Sequence, residues 1–183
     1  GIALLFNINL PANFNSPFKA TGMINFWQRW HITLSNFLTN YIYYPLSRSF
    51  ADLTFSKSMF VTMVVFLVAG LWHGPSWMFV IFGALHGLGL IVNHSLNKFF
   101  LLNLNKLFCR FLTFNYVSFT LIFFRAQDLE SAFSIIKAMT NITNFNYVIN
   151  FDIPIISLIA FAFAFVICFM FKNTHYIITQ LRK

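Results

Sequence analysis

From Met59 to Val92 the chain carries no Asp, Glu, Lys or Arg, and its apolar character is interrupted most at His73-Gly-Pro-Ser76. Segments this poor in polar side chains need an apolar surround, and backbone groups held in hydrocarbon must find their hydrogen bonds internally. For runs of this length that means helices. The break lies inside Ala69 to Gly87, AGLWHGPSWMFVIFGALHG. An ionisable ring at that depth is costly without a polar partner or a watered cavity, so His73 marks a functional site by default.

Composition extends the argument to the whole chain. Apolar residues make up 58% of 183, aromatics 20% with 27 Phe, and charged residues 9%. That leaves too little polar surface to cover a soluble domain. The expected class is all-α, a polytopic helical membrane protein with short broken or re-entrant helices. The formal charge is +8, but the basic residues are scattered singly among Phe and Leu. A nucleic-acid patch is therefore not expected, and contact with anionic lipid headgroups is.

Only one membrane domain, residues 1–183, is expected. The opening GIALLFNINL lacks an initiator Met, a basic n-region and a cleavage site, so it reads as the end of a truncated span in the C-terminal part of a longer protein. Residues 11–58 mix Asn, Ser, Trp and Tyr with single basic residues and hold no window apolar enough to cross a bilayer. This region is expected to be interfacial or re-entrant. Within it, Asn25 to Leu38 places apolar residues at 26, 27, 30, 34, 37 and 38, the spacing of one helical face, and Pro45 is expected to interrupt the helical pattern beyond it. Spans are expected at about 59–72, 77–92, 107–124 and 153–171, the first two too short to cross alone. A short amphipathic helix is expected over Leu129 to Met139, with an Asn-rich stretch after it. Cys109 and Cys168 lie in apolar runs without CxxC spacing and read as buried apolar side chains.

Basic residues concentrate in 11–57, 93–106 and the tail, which places those segments and the C-terminus on the cytoplasmic side. His73 then falls toward the outer face and His31 toward the inner.

His31 and His73 each stand among aromatic, small and hydroxyl residues. A neutral imidazole can take a proton from a hydroxyl nucleophile near neutral pH. The plainer reading is a core histidine bonded to a backbone carbonyl, and composition alone favours it. His86, among Gly83, Gly87 and Gly89, reads as a hydrogen-bonded histidine in a close helix contact. His94 and His175 read as interfacial. No HExxH or His/Cys/Asp/Glu cluster occurs, so no metal is expected, and no Gly-x-Ser-x-Gly or P-loop is present. Trp27, Arg29, Trp30, Ser35, Trp72 and His86 are the candidates for lining a substrate path. Lys19, Arg29 and Arg48 are candidates for holding a phosphate-bearing donor.

FNSPFKATGMINFWQRWHITLSNFLTNYIYYPL and the later GLWHGPSWMFVIFGALHG strongly resemble the membrane-bound O-acyltransferase (MBOAT) family, in its bacterial branch of alginate O-acetylation proteins. FFRAQDLESAFSIIKAMT resembles the same branch. The departures are Gln28-Arg29, where the family has a basic pair, and SRSFADLTFSKS in place of a glycine-rich turn. The resemblance implies a helical fold around a central tunnel, with His73 as the catalytic histidine and His31 as the second important one. It implies no tightly bound cofactor and an acyl donor such as acetyl-CoA or another acyl thioester. The acyl group, expected to be acetyl, would pass from the cytoplasmic side of a bacterial inner membrane toward an extracytoplasmic polysaccharide such as alginate, helped by an extracytoplasmic partner protein. Two other readings stay open: an acyltransferase acting on peptidoglycan or teichoic acid, and a transporter or export scaffold using the histidines as a proton relay.

Overall fold

The computed structural model describes residues 2–8, 10–100, 104–140 and 155–181, and the regular elements among them are all helical. After a single turn α1 (Ile2–Leu5) and a 3-10 turn (Pro17–Lys19) come α2 (Met23–Trp27), α3 (Ile32–Leu38) and α4 (Tyr44–Arg48). The long helices come next: α5 (Phe55–Trp72), α6 (Trp77–Phe99) and α7 (Lys106–Arg125), then α8 (Leu129–Thr140), α9 (Ile155–Met170) and α10 (Thr174–Leu181).

Helices α5, α6 and α7 have 18, 23 and 20 residues and are apolar enough to cross a membrane. At about 1.5 Å per residue they reach or approach the ~30 Å of a hydrocarbon core. The first two are longer than the sequence predicts. Thr54 caps α5, so the helix begins at Phe55 and takes in Ser56, Lys57 and Ser58. Helix α6 continues through Asn93, Asn97 and Lys98. Polar side chains at a span end reach headgroup water, so hydropathy drops there before the helix does.

Helices α5 and α6 meet at glycines. A Cβ on Gly70 would collide with the Phe79 carbonyl, and one on Gly83 with the Phe66 carbonyl and the Gly70 Cα. Small residues at these positions let the two backbones touch, the usual basis of helix association in lipid. Helix α7 joins this pair where Gly89 accommodates the Tyr116 ring, whose hydroxyl donates to the Leu85 carbonyl at 2.6 Å. Large apolar side chains such as Phe60, Trp77, Val92 and Phe111 face outward. Helix α8 is capped by Asp128, which accepts from the Ser131 N–H at 2.7 Å.

Residues 22–48 form a helical hairpin set against these spans. It begins beside Asn93, whose side-chain oxygen accepts from the Ile24 N–H at 3.1 Å, and Met23 packs over Gly89. It climbs past His86, reached by Trp27, and turns over at His31 beside Trp72. The return limb runs back along α5, where the Tyr43 hydroxyl meets Ser58 at 2.7 Å. It falls in the region expected to be interfacial or re-entrant, and two local expectations there are corrected. The helical face from Asn25 to Leu38 is not one helix, because the chain breaks between Trp27 and Ile32. Pro45 does not interrupt the return limb: Ile32 to Arg48 is continuously helical through a π-helical stretch, Thr39–Tyr43. Proline is tolerated in the first turn of α4, and the wider π register precedes it.

The last predicted span appears as α9, 16 residues long, while Asn141–Asn150, Asp152 and Ile153 lie outside the described residues. Both cysteines are free. Cys109 is half-buried, and Cys168 is exposed on α9 rather than buried, because that helix presents nearly all of its side chains outward.

Candidate active site at the hairpin apex

His31 is the residue on which the hairpin turns. It has φ 45° and ψ 54°, a left-handed conformation that costs a non-glycine residue roughly 1–2 kcal/mol. The surrounding bonds hold it there. Asn13 accepts at its carbonyl from the Ile32 N–H at 3.0 Å, and at its side chain from the Thr33 N–H and hydroxyl at 3.1 and 3.0 Å. The Asn15 N–H donates to the Arg29 carbonyl at 2.9 Å, while Arg29 bonds the Asn25 side chain and the Asn15 carbonyl. The Ser35 hydroxyl lies 3.2–3.3 Å from the carbonyls of Trp27, Trp30 and His31 and donates to one of them at a time.

The His73 turn is fixed as firmly. His73 closes α5 with its N–H on the Gly70 carbonyl at 3.0 Å. Gly74 has φ 151°, a conformation open to glycine, and a Cβ there would meet the Phe79 ring at 3.0 Å. Ser76 starts α6 by accepting from the Met78 N–H at 3.2 Å.

These two turns meet. The Trp72 indole lies 6.1 Å from the His31 ring and 4.9 Å from the His73 ring, centroid to centroid. The expected placement of the two histidines on opposite faces is therefore wrong. An indole's width separates them, not ~30 Å of hydrocarbon. Charge counting assigns 11–57 to one side as a block and cannot register that the hairpin climbs along α6.

Phe79, Phe82 and Phe124 complete an aromatic surround of His73 at 5.9, 5.9 and 5.0 Å. Burial, and then the nearby His31, lower the His73 pKa from its ordinary value. Both effects favour the neutral, proton-accepting ring over the charged one. His31 Nδ1 is buried without a hydrogen-bond partner, between Phe14 and Trp72. A buried unsatisfied nitrogen costs about 1–3 kcal/mol. Two imidazoles with ring capacity to spare, at the junction of two rigid turns, can exchange a proton with a bound hydroxyl.

A profile of the family described as MBOAT, membrane-bound O-acyltransferase family, matches residues 4–136, which include both histidine turns and every element around them. The chain belongs to the MBOAT family. It is 44% identical over 147 residues to a peptidoglycan O-acetyltransferase of Helicobacter pylori, covering 78% of this chain and 27% of that protein. It is 33% identical to a probable alginate O-acetylase AlgI of Pseudomonas aeruginosa, covering 76% and 26%. A teichoic acid D-alanyltransferase of Streptococcus thermophilus is 29% identical, covering 51% and 24%. The chain spans about a quarter of the length of these relatives.

The remaining candidates of this MBOAT chain separate into two groups. Trp72 packs on His31 at the apex, while Trp30 packs on Phe14 and Phe26 and Arg29 bonds Asn25 and Asn15. Trp27 and Ser35 line a cavity of about 370 Å³ between the hairpin and α5, with Gln28, Asn36, Thr39, Tyr43 and Thr62 as polar neighbours. His86 is on neither wall. It is 2% exposed, buried between α2, α6 and α7, with both ring nitrogens hydrogen-bonded. Sequence reading misses Phe14, Asn13 and Phe124, since nothing local marks residues that only the fold brings to the histidines. No group of three or more potential metal ligands occurs among the described residues.

Proposed function

We propose that this chain carries the catalytic histidines of an integral-membrane O-acyltransferase that moves an acetyl group from an acyl thioester to a hydroxyl of a cell-envelope polysaccharide. The observation that carries the reading is the meeting of His31 and His73 across Trp72. His73 accepts the proton of the acceptor hydroxyl. The oxygen bonds to the acyl carbon as the carbon–sulfur bond breaks, and the proton passes from the imidazole to the departing thiolate. His31 assists through its unpartnered nitrogen. Peptidoglycan is the first acceptor to examine, since the relative bearing that name shares 44% identity, with alginate and teichoic acid next.

Orientation follows from charge. Lys57 lies over Phe50, Lys98 over Phe55, and Arg48 and Lys106 occupy the same end, remote from the His73 turn. Under the positive-inside rule this end is cytoplasmic, in a bacterial inner membrane. A phosphate-bearing donor such as acetyl-CoA would meet that basic end, bound as a substrate rather than as a resident cofactor. The partners expected are membrane lipids, the donor, and an extracytoplasmic protein that hands on the acetyl group.

The test uses the full-length protein in membranes with acetyl-labelled coenzyme A and each polymer in turn. Label appearing on a polymer or on a partner protein supports the acyltransferase. Passage of an unmodified solute with no acyl product points to a transporter and overturns it.

A further inference from the structure

His86 raises a separate question, because an apolar side chain would fill the centre of a three-helix contact at less cost than a buried imidazole. Its hydrogen bonds run in one direction only. Trp27 Nε1 lies 3.2 Å from His86 Nδ1, and an indole N–H can only donate, so Nδ1 accepts. In a neutral ring the proton is then on Nε2, which lies 2.9 Å from the Thr120 hydroxyl. The Thr120 oxygen accepts that proton and gives its own to the Val117 carbonyl at 2.7 Å. Each ring nitrogen is used, and the tautomer follows from the geometry. A polar network satisfied in this way rigidifies what it joins.

What it joins is the active site. Trp27 ends the rising limb four residues before His31. His86 stands on α6, one turn beyond Phe82, and Phe82 packs on both His86 (4.5 Å) and His73 (5.9 Å). Thr120 stands on α7, one turn before Phe124, which packs on His73 at 5.0 Å. The relay thus ties the limb that carries His31 to the two helices whose rings hold His73.

We propose that Trp27, His86 and Thr120 form a positioning relay that sets the reach of His31 toward His73. His86 is then a positioning residue, with no nitrogen left for substrate. The proposal rests on the acyltransferase reading for its kinetic consequence only; the tautomer is a property of the folded chain.

Four variants and one spectrum test it in the full-length protein. Thr120→Val keeps the shape and removes the acceptor, and Trp27→Phe keeps a ring and removes the donor. Each should lower kcat for acetyl transfer about 10- to 100-fold with KM for the donor changed less than twofold. Thr120→Ser should recover most of that loss. The pair Trp27→Phe/Thr120→Val should be no worse than the poorer single variant. Ring-nitrogen NMR of histidine-labelled protein should show His86 protonated at Nε2 with Nδ1 accepting, and this pattern should be lost in Thr120→Val. A kcat unchanged in Thr120→Val overturns the relay, as does Thr120→Ser failing as badly as Thr120→Val. A His86 protonated at Nδ1 overturns it whatever the activity. If no acyl transfer is found for the wild type but the Nε2–H signature is present, the function reading fails while the Trp27–His86–Thr120 hydrogen-bond chain stands.

Discussion

The imidazoles of His31 and His73 flank a single indole, with the Trp72 centroid 6.1 Å from the first and 4.9 Å from the second. One histidine comes from the apex of the 22–48 hairpin and the other from the turn between α5 and α6, so neither turn alone brings the two rings together. Trp72 is 61% exposed and contributes little to the core. Edge contacts of aromatic rings are worth about 0.5–1.5 kcal/mol each. Trp72→Ala should therefore cost roughly tenfold in acyl transfer with little change in Tm, and Trp72→Phe should recover part of it. Initial rates and a melting curve on the same detergent preparation check both halves.

His31 separates conformation from chemistry. Its left-handed backbone is strained for histidine and free for glycine. His31→Gly should abolish transfer while leaving the folded protein as stable as the parent or up to about 1 kcal/mol more so. His31→Ala should lose activity and stability together. Thermal unfolding of the two variants side by side gives the comparison, and equal destabilisation would contradict the strain argument.

The helix contact behind His73 gives a second contrast. A methyl group on Gly83 meets the Phe66 backbone, which cannot move aside, whereas one on Gly87 meets the Met63 sulfur at 2.9 Å, at the end of a flexible side chain. Gly83→Ala should destabilise by about 1–3 kcal/mol, the usual cost of overpacking. It should lower activity as well, because α5 and α6 part beneath the His73 turn. Gly87→Ala should be the milder in both respects, as Tm and acetyl-transfer rate would record.

The pH dependence has a defined sign. Burial and the neighbouring His31 lower the His73 pKa from 6.5. The base is active when neutral, so kcat/KM should be level through neutral pH and fall as pH drops through a value below 6.5. Full activity returns above it. A pH–rate profile whose acid limb is centred above 6.5 would contradict the assignment of His73 as the base.

Much of this arrangement is legible in the residues alone. The uncharged run from Met59 to Val92 requires paired helices, and the flanking Gly, Pro and Ser place the turn at His73. Two things are not legible. The break before His31 depends on Asn13, which captures Ile32 and Thr33 from outside the hairpin, and helical periodicity passes over it without a sign. The position of the apex along α6 depends on tertiary bonds from Trp27 and Ile24. Charge asymmetry is a rule about loops and cannot measure how far a hairpin climbs along a neighbouring helix. His86 shows the same limit, since its glycine neighbours announce a helix contact but not the direction of its hydrogen bonds.

The central claim is that His31 and His73 are one site, and a double-variant cycle in full-length protein tests it most directly. Rates of acetyl transfer would be measured for His31→Ala, His73→Ala and the pair together. Residues that act as a unit are strongly non-additive, and general-base catalysis is worth about 10²–10⁴-fold. The account predicts that each single variant falls by at least about a hundredfold and that the pair falls no further than the worse single. Losses that multiply in the pair, or transfer that survives His73→Ala, would contradict it.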